Sequence, residues 1–110
     1  MARGGFPMGG GNMQQLMRQA QKMQQDMQKK QAELNESTFT AQAGGGMVTA
    51  TVYGTKELKS IELNPAVVDP DDIDMLQDLI VAGVNAAIRE ASEAVEREMG
   101  KLTGGMNLGF

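Results

Sequence analysis

The sequence predicts an α+β fold in the order α-β-β-β-α, with two long helices flanking a three-stranded antiparallel sheet. Three observations lead there. Residues 13–34 carry a heptad-spaced apolar seam. Residues 38–63 alternate between apolar and polar positions, broken twice by glycine-containing turns. Residues 70–102 repeat apolar residues at helical spacing over a broad face.

In the first helix Met13, Ala20, Met27 and Leu34 fall seven residues apart, and Leu16 and Met23 follow the first two by three. Such a narrow stripe suits one partner helix. The remainder is polar and basic, with Arg18, Lys22, Lys29 and Lys30 opposed inside the segment by Asp26 and Glu33 alone. Asn12 can cap this helix, and Gln15 three residues later completes a capping-box pattern. The helix is expected from Met13 to Glu36. Residues 1–11 are Gly-rich and expected to form a mobile tail, which makes the single Arg3-Gly4-Gly5-Phe6 unit weak as an RGG signal.

The sheet follows directly. Phe39, Ala41 and Ala43 share one face of a strand over 38–43, and Gly44-Gly45-Gly46 makes a turn that tolerates positive φ. Val48, Ala50 and Val52 face the same way on the next strand, with Thr49, Thr51 and Tyr53 opposite. Gly54 to Glu57 turns into a third strand, Leu58 to Leu63, with Ile61 and Leu63 inward. The short links imply an antiparallel meander with one covered face.

Asn64-Pro65 ends that strand. Asp69-Pro70-Asp71-Asp72 reads as a helix start, with Asp69 as N-cap and Pro70 at the first helical position. Small residues Ala82, Gly83, Ala86 and Ala87 permit close approach of a neighbouring backbone, and Gly104-Gly105 ends the helix. Met106, Leu108 and Phe110 of the tail could pack on a dimer. The expected organisation is a tail at 1–11, one domain at 12–104 and a C-terminal tail at 105–110. A projecting first helix leaves little chain for a monomeric core, which favours a dimer.

Composition removes much chemistry. With no histidine and no cysteine, neither a His-based triad, a Cys nucleophile, a disulfide framework nor a His/Cys metal site can be built. Tyr53, the single tyrosine, reads as a strand residue. Asp69, Asp71, Asp72 and Asp74 cluster, yet they lack the central glycine and terminal glutamate of an EF-hand loop, and helix capping accounts for them without a ligand. Gly44–Gly46 lacks the Lys-Ser/Thr of a phosphate loop. The expectation is no enzyme, no cofactor, no metal and no small-molecule substrate. No apolar run spans a bilayer and the start has no uninterrupted apolar region, so a cytoplasmic location without membrane contact is expected.

The net charge of −4 is unevenly spread. Residues 1–60 carry seven Lys/Arg against four Asp/Glu, net +3, and residues 61–110 carry three against ten, net −7. The basic first helix is therefore the place for a polyanion. Arg18, Lys22, Lys29 and Lys30 would meet phosphates, with Gln14, Gln21, Gln25 and Gln28 as secondary hydrogen-bonding partners. The rival readings are a helix-mediated protein-interaction module and, given ten methionines, a holdase-like chaperone.

The chain resembles the YbaB/EbfC family of bacterial nucleoid-associated proteins. The likeness runs through Leu16-Met17-Arg18-Gln19-Ala20-Gln21-Lys22-Met23-Gln24, Gly46-Met47-Val48-Thr49-Ala50-Thr51-Val52-Tyr53-Gly54 and Ile61-Glu62-Leu63-Asn64-Pro65-Ala66-Val67-Val68. It continues in Met75-Leu76-Gln77-Asp78-Leu79-Ile80-Val81-Ala82-Gly83-Val84-Asn85-Ala86-Ala87 and in Gly105-Met106-Asn107-Leu108-Gly109-Phe110. The resemblance implies a tweezer-like homodimer that binds double-stranded DNA on the nucleoid, with Arg18 and Lys22 as contacts. Gln77 and Gly83 depart from the pattern, where an acid and an alanine are more typical; both bear on packing.

Overall fold

The computed structural model describes the backbone of residues 6–103 and the side chains of residues 12–103. The Arg3-Gly4-Gly5 run and the 105–110 tail, with Met106, Leu108 and Phe110, lie outside the described residues. Helix α1 spans Phe6–Glu36, strands β1, β2 and β3 span Thr38–Ala43, Val48–Tyr53 and Leu58–Leu63, and helix α2 spans Ile73–Leu102. The order is α-β-β-β-α, and the sheet is antiparallel in the order β1-β2-β3.

The strands sit where alternation predicts them. Gly44, Gly45 and Gly46 take φ of 65°, 68° and 95°, a region open to glycine, and so close the first hairpin. Phe39 pairs with Val52, Ala41 with Ala50 and Ala43 with Val48, which stacks the apolar positions on one face. On the other face Thr40 and Thr51 hydroxyls hydrogen-bond at 3.1 Å, and Gln42 donates to Thr49 at 3.5 Å. Between β2 and β3 the register slips at Thr51/Val52: Ser60 opposes Thr51 and Leu58 opposes Val52, so Lys59 is extra.

Helix α2 lies across β1 and β2. Its buried stripe is Gly83, Ala87, Ala91 and Ala94; Ala87 and Ala91 pack on Ala50 and Val52 with Phe39 and Ala41 beside them, and Gly83 faces Val48. Such small residues let the helix axis approach the sheet closely. The core they make is thin: its largest fully buried side chains are Val48 and Val52.

Both helix starts differ from the sequence reading. Helix α1 begins at Phe6 rather than Met13, so Asn12 is an interior residue and not a cap, and the backbone of residues 6–11 is helical. Pro7 falls in the first turn, where a missing N–H is no loss, and lengthening a formed helix adds a hydrogen bond with each residue. Helix α2 begins at Ile73 with Asp72, not Asp69, as N-cap; the Asp72 carboxylate accepts from the Met75 N–H at 3.3 Å. Asp69 serves one turn earlier, accepting from the Asp71 N–H at 2.9 Å while its carbonyl accepts from the Asp72 N–H. Pro70 therefore occupies a turn that precedes the helix.

Helix α1 touches the body at its C-terminal end. Leu34 is buried there, the Gly54 N–H donates to the Ser37 carbonyl at 3.0 Å, and a Cβ on Gly54 would overlap the Leu34 carbonyl group. From that anchor the helix projects. The molecule measures 86 × 25 × 15 Å, with a radius of gyration of 22.9 Å. A compact chain of this length would give about 13 Å. Among the described residues no helix is long and apolar enough to cross a membrane.

Two glycines that both face close neighbours should respond differently. Gly54→Ala should cost about 3 kcal/mol or more in urea unfolding, because the neighbour is backbone and cannot yield. At Gly83 a Cβ would meet Val48 Cγ1 at 3.2 Å. That side chain can shift, and alanine favours the helix by about 1 kcal/mol, so Gly83→Ala should stay within about 1 kcal/mol of the parent. At the start of α2, Asp72→Ala should lose about 1 kcal/mol, the usual loss for an N-cap, and Asp69→Ala less. Equal losses, or a larger one at Asp69, would contradict the cap assignment.

Candidate nucleic-acid interface

Helix α1 has two regimes. Residues 12–22 are exposed all round, including Met13, Leu16 and Met17 at 58%, 60% and 59%. From Met23 onward one flank is covered: Met23, Met27, Lys30, Gln31 and Asn35 are half-buried, and Leu34 is buried. This flank runs antiparallel to the end of α2. Lys30 meets Glu98, while Gln19, Lys22, Met23 and Asp26 line a cleft of about 300 Å³ with Leu102. The C-terminal half of the heptad seam thus meets a helix of its own chain. Helix α2 ends at Leu102, and among the described residues Met13 and Leu16 of the seam stay exposed.

At about 100° per residue, Arg18, Lys22 and Lys29 fall within about 40° of one another on α1. The seam residues Leu16, Met23, Met27 and Leu34 lie on the opposite side of the cylinder. Packing on the seam therefore turns these three cations outward, and all three are exposed. They extend over roughly 16 Å of helix. Gln14 and Gln25 border this line within about 40° of Arg18, and Gln21 and Gln28 lie about 60–80° round. All four glutamines are exposed.

Lys30 is separate from that line. It sits about 100° beyond Lys29 and faces α2. Its Nζ lies 3.5 Å from Glu98 Oε1, with the Lys30 side chain 34% exposed. The same carboxylate takes Lys101 at 3.0 Å. The heptad pattern carried a signal for this: Lys30 occupies the seam position after Leu16 and Met23. Lys101 and Glu98 gave no signal, because only the tertiary fold brings them to α1.

The hydrogen bond and charge of Lys101 hold the Glu98 carboxyl below the usual carboxylate range, and the Lys30 charge adds a smaller pull against some desolvation. A depressed carboxylate contributes stability above its unfolded-state pKa and loses it as pH falls through the folded value, so this junction is formed at neutral pH. Lys22 pairs with Asp26 at 3.7 Å, with side chains 76% and 50% exposed. A pair that open is worth little and yields readily to another anion. Among the described residues Arg18 and Lys29 have no ion pair, and no group of His, Cys, Asp or Glu could hold a metal ion.

An exposed basic line on a projecting helix can meet a polyanion by charge and hydrogen bonding. Comparison with known proteins agrees with that class. A nucleoid-associated protein of Clostridium novyi is 61% identical over 110 residues, covering 98% of this chain and 96% of that one. One from Acetivibrio thermocellus is 57% identical, covering 96% and 94%. The crystal structure of an uncharacterized protein from Helicobacter pylori shares the fold, with a TM-score of 0.55 at 21% identity over 79% of this chain and 96% of that one. The model of the YbaB/EbfC DNA-binding family matches residues 8–106, and the chain belongs to that family.

Proposed function

We propose that the chain binds double-stranded DNA as a homodimer, in the cytoplasm, and contributes to nucleoid organisation or gene regulation. The observation that carries this reading is the outward line Arg18–Lys22–Lys29 on a projecting helix of a net-acidic protein in a DNA-binding family. The nucleoid-associated names of its relatives support the same location. Phosphates would take the cations, and Gln14, Gln21, Gln25 and Gln28 would supply hydrogen bonds to phosphate or base edges. A phosphate-led contact of this kind orients the protein without reading much sequence.

The dimer reading rests on what α2 leaves uncovered. Leu58 and Leu63 pair with Val52 and Val48 on the face that α2 covers over β1 and β2. They remain 42% and 38% exposed. Val68, Ile73 and Met75, which follow them in the chain, are 50%, 45% and 43% exposed. A second copy would close this edge and thicken a core whose largest buried side chains are valines. One observation favours the interaction-module reading instead: Met13, Leu16 and Met17 form an open apolar stretch on the arm.

Sedimentation equilibrium at low micromolar concentration should give twice the 11.8 kDa chain mass. Leu58→Asp with Leu63→Asp should shift the protein toward monomer. A folded parent monomer under those conditions would end the dimer reading.

Duplex binding should weaken steeply with salt, by roughly one released counterion for each phosphate contact. Replacing Arg18 and Lys22 by alanine should lower affinity for unrelated sequences alike and flatten the salt slope. Lys29→Ala should act in the same sense, and replacing Arg89 and Arg97 on α2 should do much less. If the Arg18/Lys22 variant stays folded and binds with unchanged affinity and slope, α1 is not the DNA surface. The apolar stretch of the arm would then be the better guide to function.

A further inference from the structure

The junction of α1 and α2 joins two cations through one acid. Lys30 Nζ and Lys101 Nζ approach opposite oxygens of Glu98, at 3.5 and 3.0 Å. Lys101 remains 67% exposed while gripping the carboxylate, and Glu98 is 27% exposed. The junction also borders the basic line. Lys30 lies about 100° round the helix from Lys29, and Leu102, next to Lys101, shares a cleft with Lys22.

We propose that Glu98 competes with nucleic-acid phosphates for Lys30 and Lys101. In the free protein the carboxylate holds both ammonium groups. On a duplex, phosphate oxygens displace it, and Lys101 becomes a contact contributed by the second helix. This rests on the DNA-binding reading above. The chemistry favours exchange: phosphate and carboxylate offer a lysine the same kind of acceptor, and a partly exposed ion pair is held weakly. Displacement leaves an acid close to the nucleic acid, so affinity stays below what the cations alone would give. An acid in this place would let a cationic arm release DNA as well as bind it.

The test is a salt titration of duplex binding by the full chain and by Glu98→Gln. Glu93→Gln serves as the control, since it removes the same charge from an exposed site on the same helix. Glu98→Gln should bind roughly threefold to tenfold tighter near physiological salt, with a slope steeper by roughly one for each lysine gained. Glu93→Gln should change binding less. The gain should vanish when Lys30 and Lys101 are both alanine. A second measurement does not depend on how Glu98→Gln folds: Lys30→Ala with Lys101→Ala in the parent should weaken binding and flatten the slope. The competitor role is overturned if Glu98→Gln matches Glu93→Gln or binds more weakly than the parent, or if the double lysine variant binds like the parent. If the parent itself shows no salt-sensitive binding, the DNA reading fails and this inference fails with it.

Discussion

The molecule depends on one place where two backbones touch. At the end of β2, Gly54 lies against the Leu34 carbonyl group, with no room for a side chain between them. The Gly54 N–H then donates to the Ser37 carbonyl, in the link between α1 and β1. This contact fixes where α1 leaves the sheet, and burial of Leu34 on the seam fixes its rotation. Rotation decides which side chains face water. Because Leu34 and the half-buried Met23 and Met27 turn inward, Arg18, Lys22 and Lys29 must turn outward. A packing contact at one end of α1 thereby orients charges far along it.

A second constraint is the small size of what α2 buries. Glycine and alanine bring the helix close to the sheet, but each contributes little apolar area. The strands below offer valine and alanine, and β3 lies past the edge of the helix. Burial within one chain therefore stops short of the apolar surface available. The exposed leucines of β3 and the extended shape have the same origin: a narrow helix–sheet contact between long helices. A second copy would cover that surface without a partner of different sequence.

The strand bounds and the β1–β2 register were legible in the sequence, because alternation and a Gly-Gly-Gly turn leave one register that keeps Ala41 and Ala50 on a common face, whereas the slip that makes Lys59 extra in β3 had no such signal. The helix starts were less so. Asp69-Pro70 and Asp72 both satisfy the chemistry of a cap, and only the path of the chain out of the turn after Pro65–Val67 selects Asp72. The glycines before Asn12 argued for a loop, yet the backbone there continues the helix. Within the site, the cationic character of α1 was evident, but four cations in one helix are not one surface. Heptad position separates Lys30 from the others. What it faces depends on where α2 ends, and no local pattern encodes that.

The pairing of a basic arm with an acidic remainder follows from these constraints and bears on how such a protein would use DNA. A chain of net charge −4 is repelled from a duplex at long range, so attraction is confined to the arm. Arg18 and Lys29, which have no ion pair among the described residues, lie on one line with Lys22 between them, paired with an exposed aspartate. Each such contact is weak alone and lost to salt, and a dimer presenting two arms would combine them. Strength would then come from geometry, through two lines of charge held at a fixed separation by a shared core. A protein built this way would bind many sequences and still exchange among them. Its specificity would reside in the shape and spacing of the duplex that two rigid arms can span.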